Sequence, residues 1–177
     1  MKILTIVFSA AAVMLFSSCG RDESFIRSLP AIPSFDTGRY MGTWYEIARF
    51  PHSFERDLIK VTAEYSLNTD GTVRVVNSGS PLSDPSKRKT AVGKAKPGDE
   101  ITKGFFRVSF FGPFYGDYRL IALDERYQYV MVTSSSRDYL WILCRTKTMD
   151  RAVFDKLTGI AKNLGFDMSK LYIVPQE

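Results

Sequence analysis

The run KVTAEYSL, Lys60 to Leu67, alternates without a break. Val61, Ala63, Tyr65 and Leu67 fall on one face, and Lys60, Thr62, Glu64 and Ser66 on the other. Period two is the signature of a strand in a sheet that is dry on one side and wet on the other. Asp70-Gly71 follows, a strong hairpin turn signal. The rhythm continues through TVRVVNSG, TAVGKAK, GFFRVSFF, GDYRLIALD, YQYVMVTS and DYLWILCR. Their spacing is roughly the 8–12 residues of an all-β barrel or sandwich. With MGTWYEIARF before them they predict eight strands, and consecutive hairpins favour an up-and-down meander. Eight antiparallel strands can close into a barrel whose interior holds side chains or one small ligand.

One segment departs from this rhythm. In TMDRAVFDKLTGIAKNLGF, Val153, Leu157, Ile160, Ala161 and Leu164 form an apolar stripe of helical period. Thr148 is the expected N-cap, with Asp150 in the first turn and Gly165 as the stop. KLYIVPQ then reads as a short closing strand. The expected fold is all-β: an eight-stranded antiparallel up-and-down barrel with one C-terminal packing helix and a short final strand.

The N-terminus has a different composition. MKILTIVFSAAAVMLFSSCG carries one lysine, an uncharged run from Ile3 to Phe16, then small residues up to Cys19 and Gly20. That order is a secretory signal, too short to span a bilayer and stay there. LFSSCG resembles the bacterial lipobox, whose Cys becomes the lipidated first residue of the mature protein. Several acyl chains on one residue exceed what stable anchoring needs. The resulting division is residues 1–18 as lipoprotein signal peptide, 19–35 as lipidated Cys19 and tether, and 36–177 as the barrel domain. Gly20 after the Cys, rather than Asp, favours an outer-membrane address. The chain has two cysteines, Cys19 and Cys144. If Cys19 carries lipid, Cys144 has no partner within the chain; a Cys19–Cys144 bridge is the alternative. Flanked by Ile142 and Leu143, Cys144 reads as a small buried hydrophobe.

Removing residues 1–18 loses only Lys2, so the formal charge falls from +5 to +4. The bias is local, in KRKTAVGKAK with Lys87, Arg88, Lys89, Lys94 and Lys96. This segment is either a solvated hairpin or a contact for anionic lipid headgroups. The export signal and the lack of any nucleic-acid motif argue against a nucleic-acid partner.

Gly42-Thr43-Trp44 on the first strand, Gly116-Asp117-Tyr118 after a later turn and Arg145 ending the last long strand resemble the three conserved regions of the lipocalins. The similarity covers about residues 35–176 and is closest to bacterial outer-membrane lipocalin lipoproteins, relatives of apolipoprotein D. The resemblance makes Gly42, Trp44, Asp117, Tyr118 and Arg145 structural. It puts Trp44 at the closed end with Arg145 across it, a cation over an indole face worth about 0.5–2 kcal/mol.

Histidine-based nucleophilic catalysis has one candidate, His52, in FPHSFER, where the mouth loop of a lipocalin would lie. An exposed loop histidine is the simpler reading. Metal-ligand spacings and Gly-rich phosphate loops are absent from the sequence, so no metal or cofactor is implied. A binding module is the stronger expectation, and an enzyme is not. Strand parity and loop position nominate Glu46, Phe54, Tyr65, Phe106, Phe110, Tyr115, Tyr129, Tyr139 and Trp141 as ligand-binding, with core packing the competing role for each. The resemblance implies fatty acids or lysophospholipids as ligands, held in a membrane-anchored carrier of the bacterial envelope. A structural lipoprotein with a side-chain-filled barrel is the alternative, and self-association into a homodimer is left open.

Overall fold

The computed structural model describes residues 22–99 and 102–177. The signal segment and Cys19 lie outside the described residues. Eight strands follow one another: β1 (Gly42–Arg49), β2 (Leu58–Leu67), β3 (Val73–Pro81), β4 (Lys89–Pro97), β5 (Phe105–Phe111), β6 (Phe114–Leu123), β7 (Tyr129–Thr133) and β8 (Leu140–Cys144). Each pairs antiparallel with its sequence neighbours, and β8 and β2 both pair with β1, which closes the barrel.

Because every strand reverses, the β1–β2, β3–β4, β5–β6 and β7–β8 connections share one rim, the mouth. The other hairpins share the base with the start of β1 and the end of β8. Helix α1 (Glu23–Ser28) and the single turn α2 (Thr37–Tyr40) precede β1. Ile32, Phe35 and Tyr40 plug the base, packing on the same core as Trp44, Val73, Val75, Ala95 and Leu120.

Helix α3 (Arg151–Asn163) lies outside the barrel. Its buried Leu157 and Ala161 meet Ala48, Met131, Ile142 and Cys144 on the outer face of β1, β7 and β8. The molecule therefore has two apolar layers, one in the lumen and one under the helix. The N-cap is Asp150, whose carboxylate accepts the N–H groups of Ala152 and Val153, and not Thr148. A carboxylate directly before the first turn also complements the helix dipole, which a threonine two residues earlier cannot do. Gly165 ends the helix at φ +83, a conformation that favours glycine.

The segment expected to be a tether is packed from Asp22 onward. Phe25 is fully buried, edge-on to Phe166 at 5.6 Å, and Asp22 pairs with Arg137 of the β7–β8 connection at 3.2 Å. Its apolar residues Phe25, Leu29 and Ile32 give it something to bury, which outweighs its proline content.

The β1–β2 seam is paired directly only in its lower half, where Gly42–Tyr45 face Tyr65–Thr62. Above that, Ala48 and Arg49 pair with β9 (Tyr172–Ile173). The residues after β9 fill the gap: Lys60 N–H donates to Pro175 O at 2.7 Å. The Gln176 amide donates to Glu46 O at 2.7 Å and to Val61 O at 3.0 Å.

Candidate functional site

At the base, Gly42 sits at φ +92, and a Cβ there would lie 3.4 Å from the Arg145 guanidinium. Arg145 stacks over the Trp44 ring at 3.9 Å and donates to the carbonyls of Arg39, Tyr40, Met41, Thr43 and Tyr127. The indole N–H donates to Tyr40 O at 2.9 Å. One planar cation thus ties the plug to β1 and to the β6–β7 turn, which suits a guanidinium fork better than a point charge.

The loop bordering Arg145 is Asp124–Gln128, not the Gly116-Asp117-Tyr118 run. Tyr127 takes φ 59 there, and its hydroxyl accepts the Asp36 N–H at 2.8 Å. Asp117 and Tyr118 lie mid-strand and face opposite ways. Asp117 points outward to Arg107 at 3.3 Å and Arg119 at 3.4 Å. Tyr118 points into the lumen.

Deep in the lumen the Tyr118 hydroxyl is 2.6 Å from that of Tyr40 and 3.0 Å from that of Tyr65. Burial pushes all three phenols up, Tyr65 to about 12 and the others well above their ordinary value. The cluster therefore stays protonated and can both donate and accept hydrogen bonds. Val73, Ala95, Phe106 and Val108 complete the walls of a cavity of about 10 Å³ beside it.

Toward the mouth a β-bulge changes what faces inward. Glu46 faces Leu143, the register slips, and Arg49 faces Trp141, so Glu46 and Arg49 share the lumen face although three residues apart. Arg49 is fully buried and its Nη1 lies 2.6 Å from Glu46 Oε1. Its Nη2 donates to the carbonyls of Glu55, Arg56 and Leu58, which folds the β1–β2 loop over the mouth. Glu55 is also buried and accepts the Trp141 indole N–H at 2.8 Å.

Burial raises Glu46 to about 6 against the pull of Arg49. Burial, then the Glu46 charge, raises Glu55 to about 8. Near neutral pH the cluster holds ionised Glu46, charged Arg49 and protonated Glu55. His52 is stacked rather than exposed: its ring lies 4.3 Å from Tyr139 and 5.5 Å from Phe54, and desolvation lowers its pKa.

The nominated ligand residues thus divide. Tyr65 and Phe106 line the deep cavity, and Phe110 packs against the same core. Glu46 and Trp141, with Phe54 and Tyr139 joined through His52, form the mouth. Two lie outside the lumen. Tyr115 shares the outward parity of Asp117 and sits under Lys96, whose Nζ is 4.5 Å from the ring. Tyr129 pairs with Cys144 in the outer layer and borders a groove of about 410 Å³ between the Ala31–Pro33 segment, Ile121 and Leu157 of α3.

Parity alone missed Arg49, because it assumes an unbroken pleat. It also missed Tyr40, Glu55 and His52, which lie outside the strands. The cluster of polar and aromatic residues in FPHSFER was the available signal for two of them.

The model of the lipocalin-like domain matches residues 35–176. The chain is 45% identical over 177 residues to the outer membrane lipoprotein Blc of Escherichia coli, covering 99% of this chain and 98% of that protein. It is 40% identical to the protein of the same name from Vibrio cholerae, covering 97% and 98%. In structure it matches lobster apocrustacyanin A1 with a TM-score of 0.65 at 17% identity, covering 80% of each chain, a likeness of fold alone. A meander of eight strands closed on itself, a helix on its flank, an arginine over a tryptophan at its base, and relatives matched end to end lead to one conclusion: the chain belongs to the lipocalins, a family of proteins that bind and carry small hydrophobic molecules.

Proposed function

We propose that this lipocalin is a lipid-anchored protein of the bacterial outer membrane that binds fatty acids or lysophospholipids and stores or carries them within the envelope. The observation that carries the reading is the lumen's chemistry. Apolar walls of Val73, Ala95, Phe106 and Val108 surround the three protonated hydroxyls of Tyr40, Tyr65 and Tyr118. An acyl chain would leave water at about 25 cal/mol per Å² buried. A headgroup would meet Glu46, Arg49 and Trp141 at the mouth. The anchor would be Cys19, in keeping with the lipoprotein names of the bacterial relatives.

A cavity of about 10 Å³ takes roughly one water, so an acyl chain would need the wall side chains Phe106 and Val108 to turn aside. The same fact favours a second reading, a structural lipoprotein whose barrel is filled by its own side chains. Purification from the native envelope followed by lipid mass spectrometry separates the two. Co-purifying acyl lipid, with a fluorescence change of Trp44 and Trp141 on adding lysophospholipid, supports the carrier. Neither signal leaves the filled barrel. An intact mass showing an unmodified protein cut elsewhere than before Cys19 would refute the anchor.

A further inference from the structure

The exposed apolar side chains are unevenly placed. Phe54 of the β1–β2 loop, Leu82 of the β3–β4 loop and the pair Phe111 and Phe114 flanking the β5–β6 turn are 44%, 58%, 61% and 69% exposed. All four are on the mouth rim, on three different connections. Of the other exposed large hydrophobics among the described residues, Leu67 is at the base, and Val92 of β4 and Ile173 of β9 stand singly on the wall. Isolated exposed hydrophobes are ordinary, whereas a ring of them on one end is the mark of an interaction surface. Basic side chains share the rim, Arg56 in the β1–β2 connection and Lys87 and Arg88 after Leu82, among the acids Asp57, Asp84 and Asp138, with Lys87 paired to Asp84 at 3.1 Å.

The path of the N-terminal segment points the same way. Asp22 is held by Arg137, in the β7–β8 connection of that same rim, and Arg137 also donates to Leu164 O at 2.8 Å. Phe25 is buried beside it against Phe50, at the end of β1, and Phe166. From there the chain runs along the outside to Ile32 and Phe35 in the base. Cys19 is three residues before Asp22, and three residues reach at most about 11 Å. A lipid on Cys19 would therefore be held within about 11 Å of Asp22, nearer the mouth than the base.

We propose that the mouth rim is a membrane-docking surface: Phe54, Leu82, Phe111 and Phe114 insert into the headgroup region of the anchoring membrane, beside Lys87 and Arg88, so the barrel opens onto the bilayer. The partner is an anionic lipid surface. Apolar tips at the interface combined with lysines and arginines near acidic headgroups match such a surface on both counts. An amphiphile could then pass between leaflet and lumen without its acyl chain crossing water.

This inference rests on the anchoring of Cys19, and the test separates the two. The mature lipidated protein is reconstituted in vesicles of phosphatidylethanolamine and phosphatidylglycerol carrying nitroxide-labelled lipid. A fluorophore is attached at the rim through Ser86→Cys or at the base through Leu67→Cys. The expected result is strong quenching and a blue shift for the rim probe and neither for the base probe. Combining Ser86→Cys with Phe54→Ser, Leu82→Ser, Phe111→Ser and Phe114→Ser should reduce the rim quenching several-fold while the protein still floats with the vesicles. All four positions are solvent-exposed, and near-ultraviolet circular dichroism verifies the fold. Equal quenching of the two probes, or none at either in a protein that floats, overturns the inference. So does rim-to-rim energy transfer without lipid quenching, which would make the surface a contact between two copies. A protein that does not float refutes the anchor itself and removes the basis of the inference.

Discussion

Arg49 Nη1 lies 2.6 Å from Glu46 Oε1 inside the barrel, both residues buried, because one bulge in β1 turns two residues of opposite parity to the same side. A buried ion pair is a poor source of net stability, but losing one partner strands the other's charge. Arg49 also holds the Glu55 and Arg56 carbonyls of the mouth loop and that of Leu58 at the start of β2.

Arg49→Met is accordingly expected to lower the unfolding free energy by about 3–5 kcal/mol. Adding Glu46→Gln should recover part of that loss. Urea denaturation of the two single variants and the double variant measures it; a double variant less stable than Arg49→Met would contradict the pairing.

Stability should fall as pH rises through the range set by Glu55. Its folded pKa of about 8 exceeds the ordinary carboxylate value of 4.5, so between these values the unfolded chain has lost a proton that the folded chain retains. The slope is at most about 1.4 kcal/mol per pH unit for such a group. Glu46, raised to about 6, steepens the lower part of the fall. Tm measured between about pH 5 and pH 9 should therefore decrease, and Glu55→Gln should flatten the upper part of that profile.

Arg145→Lys keeps the charge and loses the fork that spans five carbonyls and the Trp44 face. The expected cost is about 1–3 kcal/mol, the range for charge-assisted hydrogen bonds, with a red shift of the Trp44 emission as water reaches the ring. An unshifted emission maximum would mean that the plug holds without it.

Tyr118→Phe removes the central hydroxyl of the phenol cluster and preserves ring volume. If the deep lumen receives the polar end of a ligand, lysophospholipid affinity should drop about tenfold, as for loss of one hydrogen bond to a charged group. If that end stays at the mouth, Tyr118→Phe leaves affinity unchanged and Trp141→Phe lowers it.

The number and order of strands and the helix were legible in the sequence because each rests on local periodicity, and the Trp44–Arg145 stack because the lipocalin resemblance implied it. What sequence hid is non-local. The turn position of GPFYG put Tyr115 near the opening as a ligand contact, but Asp117 must face out to meet Arg107 and Arg119, and Tyr115 follows it. Tyr129, nominated as ligand-binding, packs instead in the outer layer with residues of α3. The Arg49 orientation depends on a register slip against β8 that no property of β1 alone announces. The N-terminal segment looked loose because its anchoring partners, Arg137 and Phe166, lie more than a hundred residues away in sequence.

The Gln176 amide bridges Glu46, 130 positions earlier, and Val61, 115 positions earlier. Contacts of that sequence separation carry a high loop-closure entropy cost. Until Gln176 and β9 arrive, the upper half of the β1–β2 seam has no hydrogen-bonding partner for Ala48, Arg49 and Lys60. Closure of the upper seam is thus tied to the far end of the chain, while the lower seam closes by direct β1–β2 pairing. Gln176 is a clasp set across a ring whose lower edge is already joined.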